Sequence, residues 1–212
     1  MIKIEQELDE METQILNMGT KVGKMHEKVV IALEQPDKDL ELTIIQSDEF
    51  INHLEEEIND LAVRSLALLS PVASDLRKVV AGIKIASELE RIGDYAKNIA
   101  IFLIRHDNID PSILAYAQAM EQGFIAMLKE TMDCYSERDI EQAFAIPEKD
   151  KEINTLYAEL KKKITKQEEP QLLDHIFELS SMLRNIERAG DHTKNICEHI
   201  IYMVKGQHYD FG

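Results

Sequence analysis

The sequence contains few of the residues that break helices or punctuate short strands. Its 212 residues include no tryptophan, eight glycines, five prolines and 6% aromatic residues. This composition, with abundant Leu, Ile, Ala, Glu and Lys, is typical of an all-helical protein. The 44% of hydrophobic residues is enough to bury a substantial core, which excludes a disordered chain.

Basic residues are also scarce. There are 24 lysines and arginines against 40 aspartates and glutamates, so the formal net charge is −16. Broad contact with a nucleic-acid backbone needs a basic face, and this balance argues against it. We expect the acidic surface to bind cations or basic patches on other proteins instead.

Cysteines and long apolar runs are nearly absent. The two cysteines, Cys134 and Cys197, form no Cys-x-x-Cys pair and cannot build a disulfide framework, which suits a reducing compartment. No apolar run approaches the ~20 residues that span a bilayer, and the first residues show no signal-peptide core. We therefore expect a soluble, cytoplasmic protein.

The five prolines divide the chain into six pieces, each of which predicts one long helix. The first piece has apolar or small residues at alternating steps of four and three from Ile4 to Ala32, and the fourth repeats this from Ile113 to Cys134. Such spacing is the seam of a bundle helix. Ser70-Pro71 and Asp110-Pro111 each resemble an N-cap followed by a first helical residue. The predicted helices cover residues 3–34, 38–69, 72–106, 112–137, 147–167 and 171–205.

The two halves of the chain resemble each other. The segment Glu90–Ile99, which reads ERIGDYAKNI, returns at Glu187–Ile196 as ERAGDHTKNI, and Asp48–Leu54 has a counterpart in Asp150–Leu156. Similarity at a period near half the chain implies two copies of one unit. We therefore predict an all-α fold built as a tandem repeat of two three-helix bundles, over residues 1–108 and 109–212.

Acidic side chains recur at helical spacing in both copies. Glu90, Asp94 and Asn98 follow one another at four-residue steps, and Glu187, Asp191 and Asn195 repeat them. Residues four apart on a helix are neighbours, and like charges there repel. A hard or borderline divalent cation would stabilise such a stripe. Matching oxygen ligands on the preceding helix of each repeat are Asp48 with Asn52 and Asp150 with Asn154.

An ordinary solvated face could produce the same pattern, because 40 acidic residues place some at this spacing by chance. Two features favour a cation site instead. The acidic pattern occurs twice at equivalent positions, and a glycine, Gly93 or Gly190, precedes each aspartate in mid-helix. Glycine costs about 1 kcal/mol there relative to alanine, which indicates that another backbone or a ligand approaches closely.

These motifs, ERIGD at Glu90–Asp94 and ERAGDH at Glu187–His192, resemble those of the PhoU family. The stretch SPVASDLR at Ser70–Arg77 and the ending EHIIYMVKG at Glu198–Gly206 extend the resemblance over essentially the whole chain. The second repeat departs from the pattern, because EPQLLD at Glu169–Asp174 stands where the first has SPVASD. The two sites are therefore expected to differ in occupancy or metal number.

The resemblance implies a cytoplasmic, homodimeric repressor of the phosphate-starvation response. It would link the Pst phosphate transporter, through its ATPase subunit PstB, to the sensor kinase PhoR. The family binds divalent or multinuclear metals, with Fe, Zn, Mn or Mg as candidates, at its acidic motifs. By motif match that role would fall on Glu90, Asp94, Glu187 and Asp191, with Asp48, Asp150, Asn52 and Asn154 as added ligands.

Two other classes of protein are also compatible with the sequence. A carboxylate-bridged metal enzyme would use Glu-x-x-His on facing helices, and no histidine in this chain has a glutamate three residues before it. No glycine-rich phosphate loop or nucleophile motif is present either, so we expect no enzymatic activity. The third class is a structural scaffold whose acidic stripes are only solvated.

Overall fold

The computed structural model describes residues 2–106, 108–166 and 176–212, and within them the chain is almost entirely helical with no strand. A short 3₁₀ turn, Ile146–Lys149, precedes the sixth helix. The α-helices are α1 (Ile2–Glu34), α2 (Lys38–Leu69), α3 (Ala73–Arg105), α4 (Pro111–Glu137), α5 (Ile140–Ala145), α6 (Asp150–Lys166) and α7 (Ile176–Lys205).

The predicted fold class is confirmed. Helices α1 to α3 form one three-helix unit, and α4, α6 and α7 form the other. The first four helices lie within one residue of their predicted bounds. The predicted start of the last helix falls outside the described residues, and its end at Lys205 is confirmed.

The predicted helix over residues 147–167 is wrong at its start. Helix α4 ends at Glu137, and the next residue, Arg138, adopts the left-handed conformation with φ 58°. Asp139 then caps the short helix α5 by accepting hydrogen bonds from the backbone N–H groups of Glu141 and Gln142. Pro147 belongs to the 3₁₀ turn, and α6 begins only at Asp150. Aspartate is a preferred N-cap residue, so Asp139 marks a helix start that the division of the chain at its prolines does not include.

One of the two predicted caps is confirmed. Asp110 accepts a 2.7 Å hydrogen bond from the backbone N–H of Ser112, with Pro111 at the first helical position. The prediction for Ser70 is wrong, because this residue ends α2 in the left-handed conformation with φ 47°. Helix α3 begins after Val72, which supplies no side-chain cap.

Both predicted seams are buried. All nine seam positions of α1 and all seven of α4 are at most 8% exposed. Burial of this extent supplies most of the stability of an amphipathic helix. Both cysteines are free and buried, as the absence of a disulfide framework predicts. None of the described helices combines the length and apolar character needed to cross a bilayer.

The two repeats pack against each other through equivalent helices. Helix α1 crosses α4, and α3 packs on α7 more extensively than any other pair of helices does. Contacts such as Glu88 with His199 and Tyr95 with His192 run in opposite order along α3 and α7, so these helices are antiparallel. The result is one continuous hydrophobic core shared by both repeats.

A buried histidine–glutamate pair crosses this shared core. His26 of α1 and Glu121 of α4 are both 0% exposed, and their Nδ1 and Oε2 atoms lie 2.9 Å apart. The other ring nitrogen of His26 donates a 2.9 Å hydrogen bond to the backbone carbonyl of Ile92 in α3. The Phe124 ring meets the imidazole edge-on at 4.6 Å. The polar contacts of His26 therefore connect helices α1, α3 and α4, which come from both repeats.

We predict that breaking this pair destabilises the fold more than removing it entirely. Glu121→Met or His26→Leu alone should lower the free energy of unfolding by about 3–5 kcal/mol, because each leaves a buried polar partner uncompensated. The double variant should recover most of that loss. Urea unfolding with matched m-values measures all three, and additive losses in the double variant would contradict the pairing.

Candidate cation sites

In the first repeat, a lysine ammonium lies between two carboxylates. Lys97 Nζ of α3 donates to Asp94 Oδ1 at 2.6 Å and to Asp48 Oδ2 of α2 at 2.7 Å. Asp48 is almost completely buried, whereas Asp94 is 25% exposed. Asn52 donates a weaker 3.4 Å hydrogen bond to the same Asp48 oxygen. The predicted convergence of α2 and α3 acids is present, with a lysine at its centre.

The second repeat has the same arrangement. Lys194 Nζ lies 3.1 Å from Asp150 Oδ2 and 2.8 Å from Asp191 Oδ1. Asn154 donates a 2.7 Å hydrogen bond to Asp150. Asp191 is 44% exposed, so its carboxylate is more open to solvent than Asp94. The two sites are thus built alike but differ in how accessible they are.

Each site retains oxygen atoms that the described residues do not satisfy. Asp48 Oδ1, Asp150 Oδ1 and Asn52 Oδ1 are buried and have no hydrogen-bond partner among the described residues. Orphaned buried oxygens are costly, and oxygen ligands of this kind suit a hard divalent cation. The donor set therefore fits a cation. Within the described part of the chain, however, no three His, Cys, Asp or Glu side chains are already positioned around one ion.

Glu90 and Glu187 lie one turn before the aspartates. Burial raises the pKa of Glu90, and the negative charge of Asp94 raises it further. Burial and Asp191 act on Glu187 in the same way. Arg91 offsets part of the repulsion, with its Nε 3.6 Å from Glu90 and its Nη1 3.8 Å from Asp94. Added positive charge would therefore stabilise the ionised form of both glutamates.

The two acidic motifs differ in the surroundings of their third residue, an asparagine in both. Asn98 is exposed, whereas Asn195 donates a 3.2 Å hydrogen bond to Glu88 between the repeats. Neither asparagine extends the acidic site.

Gly93 and Gly190 leave space that is filled by a side chain of the facing helix. A Cβ atom on Gly190 would lie 2.4 Å from Asp150 Oδ1, and one on Gly93 would lie 3.2 Å from Ile51 Cγ2. The sequence predicted a close approach at both positions. The approaching atoms belong to side chains. They are a methyl group of Ile51 at Gly93 and the carboxylate of Asp150 at Gly190.

Lys97 and Lys194 belong to the two sites, although they were not among the predicted site residues. Both stand three residues after the motif aspartate, and their repetition at equivalent positions was a usable signal. Hydrogen bonds to the two aspartates of each site outweigh burial and raise the pKa of both lysines. The ammonium groups therefore stay charged and neutralise one unit of negative charge at each site.

A second polar cluster, between α3 and α7, was also missed. The Glu88 carboxylate accepts from His192 Nδ1 at 2.5 Å and lies 3.5 Å from His199 Nε2. The Tyr95 hydroxyl and His192 Nε2 are 2.8 Å apart, and Arg188 lies over the Tyr95 ring. Burial alone would raise the pKa of Glu88, but hydrogen bonds from His192, His199 and Asn195 lower it to about 2.

An all-helical chain with two equivalent acidic sites, one in each three-helix unit, matches a known class of protein. The family model described as PhoU domain matches residues 15–103 and again residues 118–200. The chain belongs to the PhoU family.

Individual relatives agree with this assignment. The phosphate-specific transport system accessory protein PhoU of Serratia marcescens is 34% identical, over 95% of this chain and 84% of its own. The crystal structure of PhoU from Pseudomonas aeruginosa superposes with a TM-score of 0.90 at 30% identity, covering 96% of this chain and 99% of that one. The phosphate transport system regulatory protein PhoU from Streptococcus pneumoniae gives 0.89 at 28% identity, over 98% and 100%.

The depressed pKa of Glu88 predicts a specific pH dependence. A carboxylate whose pKa falls from 4.5 to about 2 on folding stabilises the protein above pH 4.5, and that contribution is lost as the pH falls toward 2. Glu88→Gln should therefore lower the free energy of unfolding at pH 6 by up to about 3 kcal/mol. The difference between variant and parent should shrink between pH 4.5 and 2.

Urea unfolding across this pH range measures the effect. Glu90→Gln is the matched control on the same helix, because the pKa of Glu90 is raised on folding and its charge does not stabilise the native state. A constant difference between Glu88→Gln and the parent at all pH values would contradict the assignment.

Proposed function

We propose that this protein is an accessory protein of phosphate-specific transport that represses the phosphate-starvation response and phosphate uptake. It acts in the cytoplasm, by contact, as an adaptor between the transporter's ATPase subunit PstB and a PhoR-type sensor kinase. The observation that carries the proposal is the similarity, over nearly the whole chain, to PhoU accessory proteins of the phosphate-specific transport system.

The adaptor role is supported by an exposed apolar segment at one end of the first repeat. Leu68, Val72 and Leu76 surround the turn between α2 and α3 and are 73%, 65% and 42% exposed. Large apolar side chains left in solvent are typical of protein–protein contact surfaces. The corresponding connection of the second repeat lies outside the described residues.

We further propose that each repeat holds a divalent metal. Asp48, Asp94 and Glu90 would be ligands in the first repeat, with Asp150, Asp191 and Glu187 in the second and Asn52 and Asn154 beside them. The buried oxygens without partners and the raised pKa of both glutamates support this assignment. A bound divalent ion would supply two positive charges to each acidic face. No described histidine lies in either site, which favours regulation over the carboxylate-bridged enzyme chemistry that uses histidine ligands.

A metal at these positions must compete with the lysine ammonium, and this predicts opposite effects for two pairs of substitutions. Asp94→Asn with Asp191→Asn should weaken Mn²⁺ binding by about tenfold or more, because ligands are lost. Lys97→Met with Lys194→Met should strengthen it, because the competing charge is removed. Equilibrium dialysis with metal analysis measures both, and Asp60→Asn with Asp133→Asn is a charge-matched control at exposed positions. Equal binding by the parent and the Asp94/Asp191 variant would show that the ligands are wrong.

The regulatory role predicts a phenotype in a deletion strain. Without the gene, phosphate-regulated transcription should be active in phosphate-replete medium, and a plasmid copy should repress it again. A copy carrying Leu68→Ser, Val72→Ser and Leu76→Ser should fold normally but fail to repress, since it lacks the contact surface. A copy with Ile31→Ser and Leu42→Ser is the control, because these apolar residues are also exposed but lie elsewhere.

Pull-down from phosphate-replete extract tests the partners directly. Capture of PstB or a PhoR-type kinase should weaken as salt rises, because exposed charges are screened over about 8 Å at physiological ionic strength. Capture of neither, together with unchanged transcription in the deletion strain, would leave only the scaffold interpretation.

A further inference from the structure

A lysine-lined groove runs between α1 and α2. Its walls carry Lys21, Lys24 and Lys28 from α1 and Ser47 and Phe50 from α2, and its floor is formed by Met25 and Ile51. We call this the lysine groove. It concentrates positive charge on a chain whose net charge is −16.

The three lysines are not paired with acidic side chains in the part of the chain that the structure describes. Other lysines pair closely with carboxylates, such as Lys97 with Asp94 and Lys149 with Glu130. Lys21, Lys24 and Lys28 form no ion pair with any carboxylate of the described residues, although acidic residues outnumber basic ones by 40 to 24. Glu27, the nearest acid in sequence, lines the neighbouring groove between α1 and α4, which Lys24 also borders, and it forms no ion pair with Lys24.

The spacing of the lysines points to an extended anion. Positions 21, 24 and 28 lie on one face of α1 and span about 10 Å at a rise of 1.5 Å per residue. Like charges at three- and four-residue spacing repel each other and destabilise a helix unless an anion lies between them. A row of this length exceeds what one phosphate needs and suits a chain of phosphates.

Phe50 adds an aromatic surface to the opposite wall. Its side chain is 67% exposed, in a protein that buries most of its large apolar residues. An exposed ring beside a positively charged groove is the arrangement on which nucleobases stack, and such stacking tolerates any base. The charge and the ring together define one kind of ligand.

We propose that the lysine groove binds a nucleoside polyphosphate, with its phosphates on Lys21, Lys24 and Lys28 and its base on Phe50. A compact polyanion satisfies three ammonium groups at once. An acidic protein segment would spread its negative charge over the acidic surface around the groove, whereas a small polyanion keeps its charge beside the three lysines, so the small ligand is favoured. The inference does not depend on the proposed adaptor role or on the metal sites.

Isothermal titration with ATP, tripolyphosphate and adenosine tests the proposal, with EDTA present so that the acidic sites stay out of the measurement. ATP should bind saturably to the parent protein. Lys21→Gln with Lys24→Gln and Lys28→Gln should weaken binding at least about tenfold, by analogy with the loss of charged contacts at other phosphate sites. The triple arginine variant, which keeps the charge, should retain binding.

Two further variants make the outcome decisive. Lys149→Gln with Lys151→Gln and Lys161→Gln changes the net charge equally, at positions outside the groove, and should leave ATP binding within about twofold of the parent. Phe50→Ala should weaken ATP binding and leave tripolyphosphate binding unchanged, and adenosine alone should bind too weakly to measure. Circular dichroism melts establish that each variant is folded.

Four results would overturn the proposal. The first is the absence of saturable ATP binding to the parent, and the second is an equal loss of ATP binding in the two triple glutamine variants. The third is tripolyphosphate that binds as tightly as ATP, with no effect of Phe50→Ala on ATP binding. The fourth is a groove variant that sediments as a monomer where the parent sediments as a dimer. The last result would assign the groove to a second copy of the chain.

Discussion

Helices α3 and α7 each have to satisfy three environments at once, and the architecture depends on this constraint. One face of each helix completes the core of its own repeat, a second packs on the other repeat, and a third carries the acidic site. A three-helix unit alone would leave the second face in water. The antiparallel pairing of α3 with α7 buries it. The duplication of the unit is therefore a requirement for stability as well as a feature of the sequence.

Electrostatics explains why the acidic stripes do not destabilise this arrangement. Each places carboxylates within reach of one another, and burial raises the pKa of Glu90, Glu187 and Asp150. One lysine in each repeat bridges the two aspartates that belong to different helices, so it balances charge and joins the helices together. The repeats solve the problem with the same residue types but differ in detail, because Asp191 is more exposed than Asp94 and Gly190 contacts a carboxylate where Gly93 contacts a methyl group.

Much of the fold follows from periodic features of the sequence. The four-three spacing of α1 and α4 identifies buried faces directly, since a helix brings those positions to one side. The duplicated motif identifies which carboxylates belong together. The short helix before Asp150 was harder to predict, because an aspartate cap at Asp139 and a proline at Pro147 give competing signals for where a helix starts. The Glu88–His192 cluster exists only because two particular faces meet, and no pattern within one repeat encodes that meeting.

The bridging lysines have a consequence for how folding relates to cation supply. In a small zinc domain the metal-free chain is unfolded, because metal binding supplies the free energy of folding. Here Lys97 and Lys194 act as internal counter-ions, so the helices pack and the aspartates are paired by the chain's own charges. Native structure and the proposed cation occupancy are therefore separable equilibria. A cation bound as proposed would alter the charge presented on these faces while the protein remains folded throughout.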